Sequence, residues 1–194
     1  EHEYLRNLIQ ELSQLFPTIA VGQRTAIKAD AYVELEGLAA PDIIHLLQAQ
    51  SVTLTSDEIR ALYSYTKGNP LLLSICAAVL SSGVSYSELV PIVDRVGALV
   101  PVVRRLWLRL SSDEQMALQL LSIFHDPVST SLVQNGVELE SADVVERLIG
   151  LRLIQEDHSG GVYVVPGIRQ VIRNDVSPEL SDRFHMFAAG SFYE

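Results

Sequence analysis

Residues 66–73 read Thr-Lys-Gly-Asn-Pro-Leu-Leu-Leu, and they predict a tight corner between two helices. The apolar residues before this stretch recur at helical spacing and stop at Gly68, the residue type that most readily adopts the left-handed conformation closing a helix. Pro70 suits the first position of the next helix, because the amide hydrogen that it lacks would have no partner there. Taken alone, the stretch indicates a corner of the kind common in mainly α-helical domains.

The composition is that of an ordinary globular protein with one large or two small domains. The chain has 194 residues, of which 48% are hydrophobic and 20% are charged. Its net charge of -10 argues against general affinity for nucleic acids or anionic membranes, because both bind proteins through clustered Lys and Arg. No apolar stretch reaches the roughly 18 residues of a membrane span, and one cysteine, Cys76, allows no disulfide framework. We therefore expect a cytoplasmic protein without membrane association.

The first segment of the chain predicts a helix followed by two short strands. Residues 1–16 form an amphipathic pattern that Pro17 ends, and residues 18–22 and 31–36 are short, apolar and β-prone. A two-stranded sheet is marginal without further strands or covering helices. The segment therefore indicates the remnant of an α/β domain whose first half lies elsewhere.

The next segment, up to about residue 98, is helical throughout. Pro41 opens one helix, and Thr55 and Ser85 each precede a glutamate by three residues, which is the spacing of a capping box. The segment predicts a compact four-helix module with residues 66–73 at its centre. Residues 96–99, which contain a glycine, form the candidate hinge at its end.

The last segment has the sequence outline of a winged helix. Pro101 starts one helix, a third capping box at Ser111 starts another, and two shorter helical patterns follow. Two β-prone runs on either side of residues 158–161, His-Ser-Gly-Gly, then predict a hairpin. A final helix is expected after Ser177-Pro178.

The charges of this last segment argue against DNA recognition. A winged helix that reads DNA places its third helix in the major groove and needs basic residues there. That helix carries Glu140, Asp143 and Glu146 against Arg147. Residues 101–194 contain 8 Arg or Lys and 13 Asp or Glu, a difference of -5. Phosphate would be repelled from such a surface.

No catalytic constellation is visible in the chain. A phosphate-binding loop needs a Lys followed by Ser or Thr, but Lys28 precedes Ala29 and Lys67 precedes Gly68. The five histidines show neither metal-ligand nor catalytic-triad spacing, and no apolar strand ends in paired acidic residues. We therefore expect that this chain by itself is not an enzyme.

The order of these segments resembles the C-terminal part of the nucleotide-binding module of STAND-class signalling ATPases, the group that includes the NB-ARC proteins. The resemblance depends on residues 19–24, Ile-Ala-Val-Gly-Gln-Arg, on residues 33–38, Val-Glu-Leu-Glu-Gly-Leu, and on the Gly-Asn-Pro corner before the winged helix. It implies that Arg24 reaches towards the terminal phosphate of a nucleotide. It also implies that Gly68, Asn69 and Pro70 form the lid motif of the family, whose proline packs near the adenine.

Two departures from the family pattern limit the resemblance. The phosphate-binding loop and the Mg²⁺-binding acidic strand are not in this chain and would lie upstream of Glu1. Many family members have Met-His-Asp after the wing, with the histidine contacting ADP, whereas residues 165–167 here are Val-Pro-Gly. Because proline cannot donate a hydrogen bond from its backbone nitrogen, Arg169 is the alternative candidate for this contact. A solvated helix position for Arg169, and a loop pairing of Arg24 with Asp30, remain open as structural roles.

The sequence thus predicts a mainly α fold. Its parts are an α/β remnant (residues 1–37), a helical lid bundle (38–98) and a winged-helix domain with a β-hairpin wing and a C-terminal helix (99–194).

The resemblance implies the regulatory part of an ADP/ATP signalling switch that couples lid and winged-helix movement to homo-oligomerisation. Its partners would be its own upstream NTPase domain and a downstream sensor domain. The whole protein would be a slow ATPase with Mg²⁺ bound by upstream residues, and this chain alone would bind ADP weakly or not at all. A DNA-binding transcription regulator and a nucleotide-independent interaction scaffold are the alternatives.

Overall fold

The computed structural model describes residues 2–18, 31, 33–95, 97–139 and 143–191. The chain divides into two compact units, Glu1–Glu36 and Gly37–Glu194. In the first unit, helix α1 (His2–Leu15) ends just before Pro17, as the sequence predicts. Residues 19–30, which include Arg24 and most of the first predicted strand, lie outside the described residues.

The prediction of a second strand at residues 31–36 is wrong. Residues 33–39 have no regular secondary structure, and the side chains of Val33 and Leu35 are 85% and 86% exposed. Their alternation with glutamates fits a half-buried strand, but a strand also needs a neighbour for its backbone hydrogen bonds. The two strands within the described residues pair with each other instead.

The second unit begins with four helices around an apolar centre. The capping boxes at Thr55 and Ser85 are both confirmed, and in each the backbone N–H of the cap donates to the glutamate side chain. This hydrogen bond holds the pKa of Glu58 below its ordinary value. The helix that starts at Pro70 buries a continuous run from Ile75 to Val79, because its apolar residues surround the whole helix. The four helices are α2 (Ala40–Ala49), α3 (Ser56–Thr66), α4 (Pro70–Ser81) and α5 (Tyr86–Val93).

Four further helices follow in the same unit. The first begins at Leu99, two residues before the predicted start at Pro101, and it buries Val102, Val103 and Leu106. The second carries the predicted capping box between Ser111 and Glu114. The four helices are α6 (Leu99–Trp107), α7 (Ser112–Ile123), α8 (Thr130–Val137) and α9 (Asp143–Gly150).

The predicted hairpin is present as β1 (Ile154–Glu156) and β2 (Val162–Val164), an antiparallel pair with Ile154 opposite Val164. Asp157 organises the turn, because its Oδ1 accepts hydrogen bonds from the backbone N–H groups of Ser159 (2.9 Å) and Gly161 (2.8 Å). Helices α10 (Pro166–Arg173) and α11 (Pro178–Ser191) complete the described chain.

The buried apolar residues of the second unit, from Ile43 to Ala188, form one hydrophobic core. Helix α4 packs against α6, and α6 packs against α10, so the helices before and after residue 98 share buried side chains. The described residues form a mainly helical fold with one small antiparallel sheet, which confirms the predicted fold class at that level. The domain boundary predicted at residues 98 and 99 stays a prediction.

Candidate functional site

The corner between α3 and α4 is built by four consecutive residues with different roles. Lys67 closes α3 in the left-handed conformation (φ 52°), one residue earlier than predicted, and Gly68 follows with φ 71°. Asn69 then caps α4, because its Oδ1 accepts the backbone N–H of Leu72 at 3.0 Å. Pro70 takes the first helical position, as predicted. The capping role of Asn69 was missed, although Asn directly before a helix-starting Pro indicates it.

A second backbone segment crosses this corner. The backbone N–H of Leu38 donates to the carbonyl oxygen of Gly68 at 2.8 Å. A Cβ atom at Gly37 would overlap the carbonyl oxygen of Lys67, and a Cβ atom at Gly68 would lie 2.6 Å from the carbonyl oxygen of Leu38. Gly68 is therefore required by a close approach of two chain segments as well as by its φ angle.

A groove of about 430 Å³ brings together two of the predicted motifs. Pro70 of the predicted lid motif and Val165 of the post-wing motif both line it, although they are far apart in the sequence. Helix α2 and the residue after it supply one wall, α4 the second, and the segment between α9 and α10 the third. The lining residues are Leu46, Ala49, Gln50, Pro70, Leu71, Ser74, Arg152, Gln155 and Val165.

The post-wing residues also contact the first turn of α4 directly. The side chain of Leu71 occupies the space into which a Cβ atom at Gly167 would project. Pro166 is at the first position of α10, so its backbone has no hydrogen to donate towards the groove.

Arg169 does not reach this groove. Its Nη2 donates to the carbonyl oxygen of His125 at 3.4 Å, and the residue is absent from the groove lining. The arginine that lines the groove together with Pro70 is Arg152, which lies two residues before the start of β1. Sequence reasoning missed Arg152, because no local pattern shows which residues face a groove built by distant segments.

A second cavity, of about 330 Å³, lies beside the same corner. Asn69 and Tyr65 line it together with Arg95 and residues 97–99. Val96, one residue of the predicted hinge, lies outside the described residues, and Gly97 has a φ of 76°.

No protein-family model matches this chain, and no curated protein matches it. A solved structure does. The fold resembles that of a signal transduction ATPase with numerous domains (STAND) from Pyrococcus horikoshii that has a tetratricopeptide repeat sensor. The TM-score is 0.61 at 21% sequence identity, over 83% of this chain and 23% of the STAND protein. The chain therefore corresponds in fold to less than a quarter of that STAND protein.

The basic residue of the predicted recognition helix is engaged within the protein. Arg147 Nε lies 2.9 Å from Oε1 of Glu114, whose side chain is only 2% exposed. The other oxygen of this carboxylate accepts the backbone N–H of Ser111 at 2.7 Å. Arg147 thus connects α9 to α7 through this ion pair, which gives it a structural role.

Within the described part of the chain, no group of three or more His, Cys, Asp or Glu side chains is placed to hold a metal ion. No helix of that part is long and apolar enough to cross a membrane.

Proposed function

We propose that this chain is the regulatory part of a nucleotide-dependent signalling switch of the STAND type. The observation that supports the proposal most is that Pro70 and Val165 line one groove. The resemblance associates the neighbourhood of each residue with bound ADP, and the two are 95 residues apart in the sequence. The likeness to the STAND structure supports the same fold for the chain.

Helices α2–α5 would be the lid, and α7–α9 with the hairpin would be the winged helix. Their shared core and the contact of Leu71 with Gly167 would make the two move as one body, so the hinge predicted at residues 96–99 would not act between them. ADP would stabilise one arrangement of these helices and ATP another. Exchange of the nucleotide would therefore shift the population between the two arrangements. We propose that this shift exposes surfaces for homo-oligomerisation.

The remaining parts of the switch are proposed to lie in the same protein outside this chain. An upstream NTPase domain would supply the phosphate-binding loop and the Mg²⁺ ligands, and the whole protein would hydrolyse ATP slowly in the cytoplasm. A sensor domain would follow, and the STAND protein of similar fold has a tetratricopeptide repeat sensor. The chain itself would supply apolar contact to the base through Pro70 and Leu71.

Isothermal titration calorimetry with ADP on the full-length protein tests this proposal. We expect binding, and we expect Pro70→Ala to weaken it several-fold. Pro178→Ala is the matched control, because Pro178 also starts a helix but does not line the groove. A flat titration of the folded full-length protein would overturn the proposal and favour a nucleotide-independent scaffold.

A further inference from the structure

The groove beside Pro70 has an unusual charge arrangement. Of the described residues that line it, Arg152 alone is charged. The other polar lining groups are the hydroxyl of Ser74 and the amides of Gln50 and Gln155. A positive charge at the edge of a largely apolar groove favours a ligand with a flat apolar part and an anionic part.

The guanidinium group of Arg152 is available for such a ligand. Arg152 is exposed, and no described carboxylate forms an ion pair with it. Its backbone N–H is already used, because it donates to the carbonyl oxygen of Ile149 at 2.9 Å. The side chain therefore has no structural partner in the described part of the chain.

Arg152 has a backbone conformation that is unfavourable for residues with a side chain. Its φ is 58°, a left-handed conformation at the end of α9 that Gly or Asn adopts more easily. Lys67 closes α3 and Glu138 closes α8 in the same conformation, so the φ angle of Arg152 is not itself a sign of a ligand. The groove lining and the lack of a side-chain partner are what favour a ligand contact at Arg152.

We propose that Arg152 contacts the phosphate groups of the nucleotide in this groove, in the role that sequence reasoning gave to Arg169. This inference rests on the proposed function and adds a recognition residue to it. The planar guanidinium donates two parallel hydrogen bonds to a phosphate, while Pro70 and Leu71 cover the base. Pro166, with no backbone hydrogen, takes no part in the contact.

The test compares ADP and adenosine affinities of full-length variants by calorimetry. We expect Arg152→Gln to weaken ADP binding about tenfold, the effect of one lost charge-assisted contact, and to leave adenosine binding unchanged. Arg152→Gly should weaken ADP equally but keep or raise the melting temperature, because glycine relieves the left-handed backbone. Arg169→Gln is the matched control and should bind ADP like the wild type.

The outcomes separate this inference from the proposed function. Wild-type ADP affinity in both Arg152 variants would overturn the inference and leave the nucleotide switch standing. An equal loss in Arg152→Gln and Arg169→Gln would also overturn it, since the effect would then come from overall charge. Failure of the wild type to bind ADP would overturn both.

Discussion

Gly37 lies against Gly68 with no room for a Cβ atom on either residue. The first residues of the second unit therefore contact the corner between α3 and α4. The hydrogen bond from the backbone N–H of Leu38 to the carbonyl oxygen of Gly68 holds the two segments together. The same corner places Pro70 in the groove. The geometry of the candidate site thus depends on a backbone contact between segments about 30 residues apart.

Gly68→Ala should be markedly destabilising. It combines a left-handed φ of 71° with a clash against backbone atoms of Leu38, so we expect a loss of about 2–4 kcal/mol in the free energy of unfolding. Gly83→Ala is the control, because Gly83 has a φ of 91° but no atom near its missing Cβ, and it should cost only about 1–2 kcal/mol. Urea unfolding measures both values. Equal losses of unfolding free energy in the two variants would show that the contact with Leu38 does not add to the cost of the substitution at Gly68.

Asn69 should act on stability through its side-chain oxygen. Asn69→Ala removes the cap of α4 and should lower the free energy of unfolding by about 1 kcal/mol, whereas Asn69→Ser keeps a capping oxygen and most of the stability. Thermal and urea unfolding of the two variants test this. If serine proves as harmful as alanine, the capping oxygen is not what Asn69 contributes to stability.

The ion pair between Arg147 and Glu114 should matter more than an exposed pair. Arg147→Met leaves the Glu114 carboxylate buried with fewer hydrogen bonds, at a cost of about 1–2 kcal/mol, moderated because Arg147 is 60% exposed. The control is Arg60→Met, whose partner Asp57 is 89% exposed and which should change stability by less than about 0.5 kcal/mol. Indistinguishable unfolding curves for the two variants would contradict this assignment.

Cys76 should be unreactive while the protein is folded. Burial raises the pKa of its thiol from 9.0 to about 12, so the nucleophilic thiolate is scarce at mildly alkaline pH. The raised pKa contributes stability that is fully present below pH 9.0 and is lost as the pH rises towards 12. Iodoacetamide labelling followed by mass spectrometry should be slow in buffer and fast in urea. Rapid labelling of the native protein would show that α4 is open to solvent.

Local signals were sufficient for most of the helices. Each capping box joins two residues three apart, and each helix-starting proline acts on its own turn, so the energy of these features depends on adjacent sequence only. The hairpin was predictable for the same reason, since Asp157 organises its turn within four residues. The strand expected at residues 31–36 failed because alternation shows which face could be buried but not whether a pairing strand is present.

The sequence by itself determined the order of the helices, the corner at Gly68-Asn69-Pro70 and the acidic character that argues against DNA. Only the tertiary structure decided that Gly37 touches that corner, that Val165 shares a groove with Pro70, and that Arg152 lines this groove while Arg169 turns to His125. Each of these relationships joins segments that are distant along the chain. They follow from how the apolar faces of the helices pack into one core, which no short window of sequence specifies.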